Sequence, residues 1–287
     1  MIYEFQYKND KSILDLTEHA GVPFLEFTGF KSCKNIVHGF STRMGGVSEG
    51  IYESMNLSYT RGDQEAAVTE NFRRFAKALE VDPQNYVFSH QTHTINIRVV
   101  TEKDRGKGFV RQQDYHDIDG LITNVPELVL STFYADCVPL FFVDPVRSAI
   151  GLSHSGWRGT VGKIGQKTIE KMHQEYGSKP EDILVGIAPS ICRECYEVSE
   201  DVAEEFRKIF PKEEWKEIMD DKGNGKYQLD LWECNRRILL NSGIRKENLF
   251  VTNICTCCNS RLLFSHRASE GKRGNLGAFL MLKQTEE

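Results

Sequence analysis

Three short segments place reactive side chains where strands are expected to end: Ser89-His90-Gln91-Thr92-His93, Ala135-Asp136-Cys137-Val138-Pro139 and Ser153-His154-Ser155-Gly156-Trp157-Arg158-Gly159. Rigid scaffolds tend to display functional groups at such positions. Two imidazoles and a thiolate, from His93, Cys137 and His154, are ligand types that suit zinc, and three protein ligands leave a fourth position for water or substrate. The three lie far apart in sequence, which excludes a local finger motif. The same residue types also fit histidines hydrogen-bonded at strand ends and a cysteine packed as a small hydrophobe.

The elements that must position these groups are short β-branched or aromatic runs at 35–41, 86–89, 95–100, 128–134, 140–143, 149–153 and 183–188. Helical stripes separate some of them. Val68, Phe72, Phe75 and Leu79 mark a helix over 63–80 with Asp63 as N-cap, and Val161, Ile164, Thr168, Met172 and Tyr176 mark another over 160–176. A third begins near Ser199 and buries Val202, Phe206 and Ile209. A fourth runs from Asp230 through Leu239, with Gly243 at its C′ position. This pattern predicts an α+β single domain with a mixed β-sheet core and flanking helices. His90 and His93 are three apart. If this stretch is extended they point to opposite faces, and only one serves a common site.

The composition is that of an ordinary globular chain, 40% hydrophobic and 27% charged, with a formal net charge of −5. No global positive field draws nucleic acid or an anionic membrane. The first ten residues lack the pattern of a signal peptide, and no run of 18 apolar residues occurs, so a soluble cytoplasmic protein is expected. In that setting the eight cysteines are expected to be reduced. Cys192-x2-Cys195 is a good metal half-site. Cys255-x-Cys257-Cys258 is not the usual other half, and free thiols are the default for both.

The run His38-Gly39-Phe40-Ser41-Thr42-Arg43 with Gly45-Gly46-Val47-Ser48, then Met55-Asn56-Leu57-Ser58, resembles the opening signature of the YfiH-like, laccase-domain family. Gln91-Thr92-His93 resembles its Gln-x-His element. Asp119-Gly120-Leu121-Ile122-Thr123, Ala135 to Pro139, His154 to Thr160, Gly186 to Ile191 with Tyr196-Glu197-Val198, Cys255-Thr256 and Phe264-Ser265-His266-Arg267 follow in the family order. The match spans roughly 35–280, and residues 1–34 carry no motif, so 35–287 is expected to form the catalytic domain without an internal boundary. Two positions depart from the family: Ala188 where Gly is common, and His266 where Tyr is common.

The resemblance implies a zinc site at His93, Cys137 and His154, and selects His93 over His90. It further implies phosphorolysis of purine nucleosides (adenosine, inosine, methylthioadenosine), with adenosine deamination beside it. A zinc ion that lowers the pKa of water suits attack at C6 of a purine, and Asp136 is the nearest acid/base in sequence, though a turn role fits it equally. Phosphate calls for cationic donors. Arg43, Arg61 and Arg158 lie in or near the motifs, His38 is a further substrate contact or a core histidine, and Gly45-Gly46 and Gly156 allow close backbone approach.

The family's older label, polyphenol oxidase, would require copper. Eight histidines without a His-x-His pair do not build a multicopper cluster, although copper can occupy the same His2Cys set. A metal-free hydrolase with Cys137 as nucleophile and a histidine as base is the runner-up, since the fold has been grouped with deamidating toxins that use such a pair. A role in editing peptidoglycan precursors is linked to some members.

Overall fold

The computed structural model of the protein describes residues 4–284. Fifteen strands run, in chain order, β1 Leu14–His19, β2 Val22–Phe27, β3 Ile36–Ser41, β4 Tyr86–Phe88, β5 Ile97–Val99, β6 Gly120–Thr123, β7 Val129–Tyr134 and β8 Val138–Asp144. They continue as β9 Ala149–Ser155, β10 Leu184–Ile187, β11 Glu197–Ser199, β12 Met219–Gly223, β13 Lys226–Leu229, β14 Leu249–Val251 and β15 Leu276–Leu282. The α-helices are α1 Glu65–Leu79, α2 Trp157–Val161, α3 Ile164–Tyr176, α4 Glu200–Ile209, α5 Trp215–Ile218 and α6 Leu231–Asn241. These counts cover the described residues.

Two six-stranded mixed sheets carry the fold, in the orders β1-β2-β3-β15-β7-β4 and β14-β10-β8-β9-β6-β5, and β11-β13-β12 form a small third one. The large sheets face each other. Leu25, Phe27, Phe40 and Leu130 of the first meet Phe141, Ile150 and Leu152 of the second in one core. The outer face of the first sheet is covered by Val68, Phe72, Phe75 and Leu79 of α1. That of the second packs against Ile164 and Met172 of α3 and Ile238 and Leu239 of α6. Four layers leave the central strands buried on both faces. Along β8, Phe141 points into the inter-sheet core while Leu140 and Phe142 point under the helices, as a period of two requires.

The predicted α+β character with a mixed-sheet core and flanking helices is what the chain adopts. Several details differ. Residues 1–34, without motif, supply β1 and β2, a hairpin that extends the first sheet through β3. The apolar run at 276–282 is β15, a strand central to that sheet. The helix read over 160–176 is two, because Gly162 ends α2 and Lys163 takes a left-handed conformation at φ 56°. Gln64, not Asp63, is the N-cap residue of α1, and the Asp63 carboxylate accepts from the Asn56 amide at 2.9 Å. Gly243, at φ 93°, does follow α6 as expected.

Gly186 of β10 lies under the Phe27 ring, where an added Cβ would come within 2.5 Å of a ring carbon. Phe27 is held in turn by Phe30 and Phe141. Gly186→Ala is therefore expected to destabilise the fold by about 1–3 kcal/mol through overpacking, seen as a lower denaturant midpoint with an unchanged slope. An unchanged midpoint would show that the two sheets separate freely at this point.

Candidate active site

His154 is near the end of β9, and Cys137 closes the turn by which the chain crosses from β7 in the first sheet to β8 in the second. Asp136 makes that turn with φ 86°. His93 comes from a bend, not from extended chain: its φ is 65°. The backbone N–H groups of Thr92, His93 and Thr94 all donate to the Asp119 carboxylate, at 3.1, 3.1 and 2.8 Å. That cluster of donors curls the segment around one buried anion. The expected extended register for 90–93 is corrected accordingly. His90 is outside the group of His93, Cys137 and His154: its ring packs edge-on against His116, and its backbone pairs with Ile118, though it lines the same cavity.

The ligand atoms of His93, Cys137 and His154 all lie within 4.8 Å of one another, with Cys137 Sγ 4.0 Å from His93 Nε2. Tetrahedral zinc-type geometry needs separations of about 3.3–3.6 Å, so small side-chain rotations complete it. His154 Nδ1 is 2.7 Å from Asp119, which fixes the ring with Nε2 toward the thiol. These three groups can hold a metal ion.

The charges agree. Burial alone would push the Cys137 thiol up, but the adjoining imidazoles, His154 foremost, bring it below the usual thiol value. Burial pulls His154 down, and the Cys137 and Asp119 charges more than reverse this. A thiolate and a carboxylate thus flank a buried position that attracts a cation, whether proton or metal. Gly156 lies against it: a Cβ there would stand 3.0 Å from the His93 ring and 3.1 Å from Cys137 Sγ.

His93, Cys137 and His154 line a cavity of about 440 Å³, within the usual range of small-molecule sites. Tyr59, Phe88 and Phe133 contribute aromatic wall, and Arg61 and Arg273 line it as well. Gln91 explains the glutamine two residues before His93. Its amide donates to the Phe133 carbonyl at 2.8 Å and accepts from the Phe133 N–H at 2.7 Å, joining the bend to the end of β7.

Arg61 and Arg273 are half-buried, and the Nε of each lacks a partner. Arg61 Nη2 donates to the Gly271 carbonyl at 3.1 Å, and Arg273 Nη1 to the Gly274 carbonyl at 3.1 Å. Among the described residues neither is paired with a carboxylate. Burial and the neighbouring Arg61 charge pull the Arg273 guanidinium down to about 10, so it stays cationic at neutral pH.

The other sequence-derived site residues stand elsewhere. Arg43 donates to the carbonyls of Glu53 at 2.7 Å and Ser260 at 3.0 Å, and its guanidinium stacks on Phe264. Arg158 is exposed and covers Trp157. His38 is buried among Phe27, Phe30 and Phe141, and its Nε2 accepts from the Phe27 N–H at 2.8 Å. Gly45-Gly46 packs against Gly21 and Ser54. The Asp136 carboxylate accepts from Thr256 Oγ1 at 2.6 Å and the Arg267 N–H at 2.7 Å. None of these lines the cavity. Asp119 and Arg273 are the groups that sequence reasoning gave no role.

Residues 37–283 match the family described as multi-copper polyphenol oxidoreductase laccase. The chain belongs to that family. Within this laccase-domain family it is 38% identical over 255 residues to a protein of Bacillus subtilis strain 168 named purine nucleoside phosphorylase YlmD, covering 88% of this chain and 90% of that one. A protein from an unknown prokaryotic organism, named adenosine deaminase RL5, is 32% identical over 246 residues, covering 85% of this chain and 93% of that one. The crystal structure of Bacillus licheniformis hypothetical protein YfiH superposes with a TM-score of 0.87 at 35% identity, covering 93% and 99% of the two chains. The laccase-domain name is a label for the family. Among the described residues only two histidines, His93 and His154, enter a metal-type grouping.

His93→Ala is expected to lose one metal equivalent per chain and His90→Ala to keep it. Asp119→Asn, which retains shape but not charge, should weaken retention about 10–100-fold in chelator competition. Wild-type retention by Asp119→Asn would show that the carboxylate positions nothing the metal needs.

Proposed function

We propose that this protein is a zinc-dependent purine nucleoside phosphorylase acting on adenosine, inosine and methylthioadenosine in the cytoplasm. The observation that carries the reading is the pair Arg61 and Arg273, unpartnered by carboxylates, in one cavity with His93, Cys137 and His154. Two guanidiniums side by side repel each other unless an anion is expected, and phosphate suits their forked donors. The aromatic wall of Tyr59, Phe88 and Phe133 suits a flat purine. The names of the relatives agree with this, and none of the eight cysteines is in a disulfide, which suits a reducing compartment.

Zinc fits the donor set of two imidazoles and one thiolate, and when bound it supplies Lewis acidity at the reacting centre. The protein's own groups do the rest. Arg61 and Arg273 hold phosphate and neutralise its charge while an oxygen approaches C1′. The aromatic residues orient the base, so that the bond from C1′ to the purine nitrogen breaks as the bond to phosphate oxygen forms, and the proton given up by hydrogen phosphate ends on the departing purine. Asp119 keeps the His154 ring in one tautomer throughout.

Copper can enter the same three-ligand set, but with only these two histidines it does not build an oxidase cluster. A metal-free cysteine hydrolase needs one imidazole as base, oriented by a carboxylate, and His154 with Asp119 has that form. The second imidazole, converging on the same thiol at 4.0 Å, favours an ion over a nucleophile. Deamination of adenosine at this site is a further activity in the proposal. Asp136 is not its acid/base, because its carboxylate is committed to Thr256 and Arg267. A role in peptidoglycan editing gains no support from the cavity.

Incubating the three nucleosides with and without phosphate is expected to release base and ribose 1-phosphate together, in proportion to phosphate. Arg273→Met should raise the phosphate concentration needed about 10–100-fold, as expected when a charge-assisted contact of about 1.5–3 kcal/mol is lost. Ammonia and inosine from adenosine, independent of phosphate, would assign deamination alone. No product from any of the three would overturn the reading.

A further inference from the structure

The strands β10 and β14 are parallel neighbours, and the loops that leave their C-terminal ends run side by side, with Ser190 bridged to Cys255. The first loop carries Cys192 and Cys195, the second Cys255 and Cys258. The second pair has the same two-residue spacing as the first. Cys257, which obscures the spacing in the sequence, stays outside the group. The four sulfurs lie within 4.8 Å of one another, with Cys195 and Cys258 3.5 Å apart and Cys192 and Cys258 4.0 Å apart. A disulfide needs about 2.05 Å. Four thiolates about 2.3 Å from one tetrahedral ion stand about 3.8 Å apart, and the observed spacings straddle that value.

The geometry points to a second metal centre, a structural zinc ion held by Cys192, Cys195, Cys255 and Cys258. Its donors are all soft and all from the protein, so it closes on the ion and leaves no position for substrate, unlike the site at His93. The backbone supports it. The N–H groups of Cys192 and Cys258 point at Cys255 Sγ from 3.3 and 3.4 Å, as donors that stabilise a thiolate. Asn259 holds the N-terminal segment over the second loop through paired bonds with Gln6, at 2.7 and 3.1 Å. Lys8 follows, backbone-bonded to Asn253 and ion-paired with Glu194 at 3.1 Å, which ties the N-terminal segment to the first loop as well.

The centre has a mechanical role. Both loops grip Asp136, the residue before Cys137: Ile191 N–H donates to its carbonyl at 3.0 Å, and Thr256 Oγ1 to its carboxylate. An ion that pins the two loops together therefore fixes the turn that aims Cys137. This inference stands apart from the nucleoside reading, and its test uses no substrate.

Elemental analysis of protein purified without chelator is expected to find two zinc ions per chain. His93→Ala should retain one, and X-ray absorption at its zinc edge should show four sulfurs at about 2.3 Å. Cys195→Ser should lose that ion, while Cys257→Ser keeps it. Should the Cys195 variant fail to fold, cobalt grown into His93→Ala protein, in which the Cys137 site is disabled, gives the same decision, through the intense thiolate charge-transfer bands of a tetrathiolate site. His93→Ala protein free of zinc, a mixed nitrogen and sulfur shell in that variant, or a Cys195–Cys258 disulfide found by mass mapping would each overturn the assignment.

Discussion

One carboxylate organises the active site. Asp119 is fully buried, and its two oxygens receive three successive backbone N–H groups, the Thr94 hydroxyl at 2.9 Å and the His154 ring at 2.7 Å. An isolated buried carboxylate would neutralise itself by taking a proton. Here the donors and the His154 charge outweigh burial and hold it below the usual carboxylate range. The negative charge that survives orients His154, curls the chain so that His93 faces the same point, and so determines how Cys137 ionises. Removing that charge would loosen three groups that share no stretch of sequence.

The sheets supply what the carboxylate cannot. Cys137 and His154 stand on either side of the β8–β9 pairing, where Pro139 is opposite His154, and buried strands move little relative to each other. Two of the three metal-type ligands thus stand at or beside the ends of buried strands, and the third, His93, is held by the bend around Asp119. Arg61 and Arg273, which line the same cavity, come from loops.

Much of this was legible from residues alone. His93, Cys137 and His154 do converge, and the helices at 65–79 and 231–241 follow their stripes. Asp119 opens one of the family motifs, but its role left no local signal, because its partners are spread over residues 92–94 and 154 and only folding assembles them. Arg43 looked like an anion ligand by its motif, but its guanidinium is spent on backbone carbonyls. Arg273 lies in a segment with no pattern at all. The strand at 276–282 is buried on both faces and so shows no alternation, which leaves a strand and a helix indistinguishable by period. The thiol pairs were hidden by a third cysteine that breaks the eye's count between Cys255 and Cys258.

The placement of β15 has a consequence for how the molecule comes into being. It lies between β3 and β7, hydrogen-bonded to both, although some 230 and 140 residues separate it from them in the chain. Until β15 is available, the groups β1-β2-β3 and β7-β4 are not joined, and the inner edges of both are unpaired. Such edges are the surfaces at which partly made chains associate wrongly. Closure of the first sheet, and with it the completed cavity, therefore waits for β15 to be made, and long-range pairing of this kind sets a slow step.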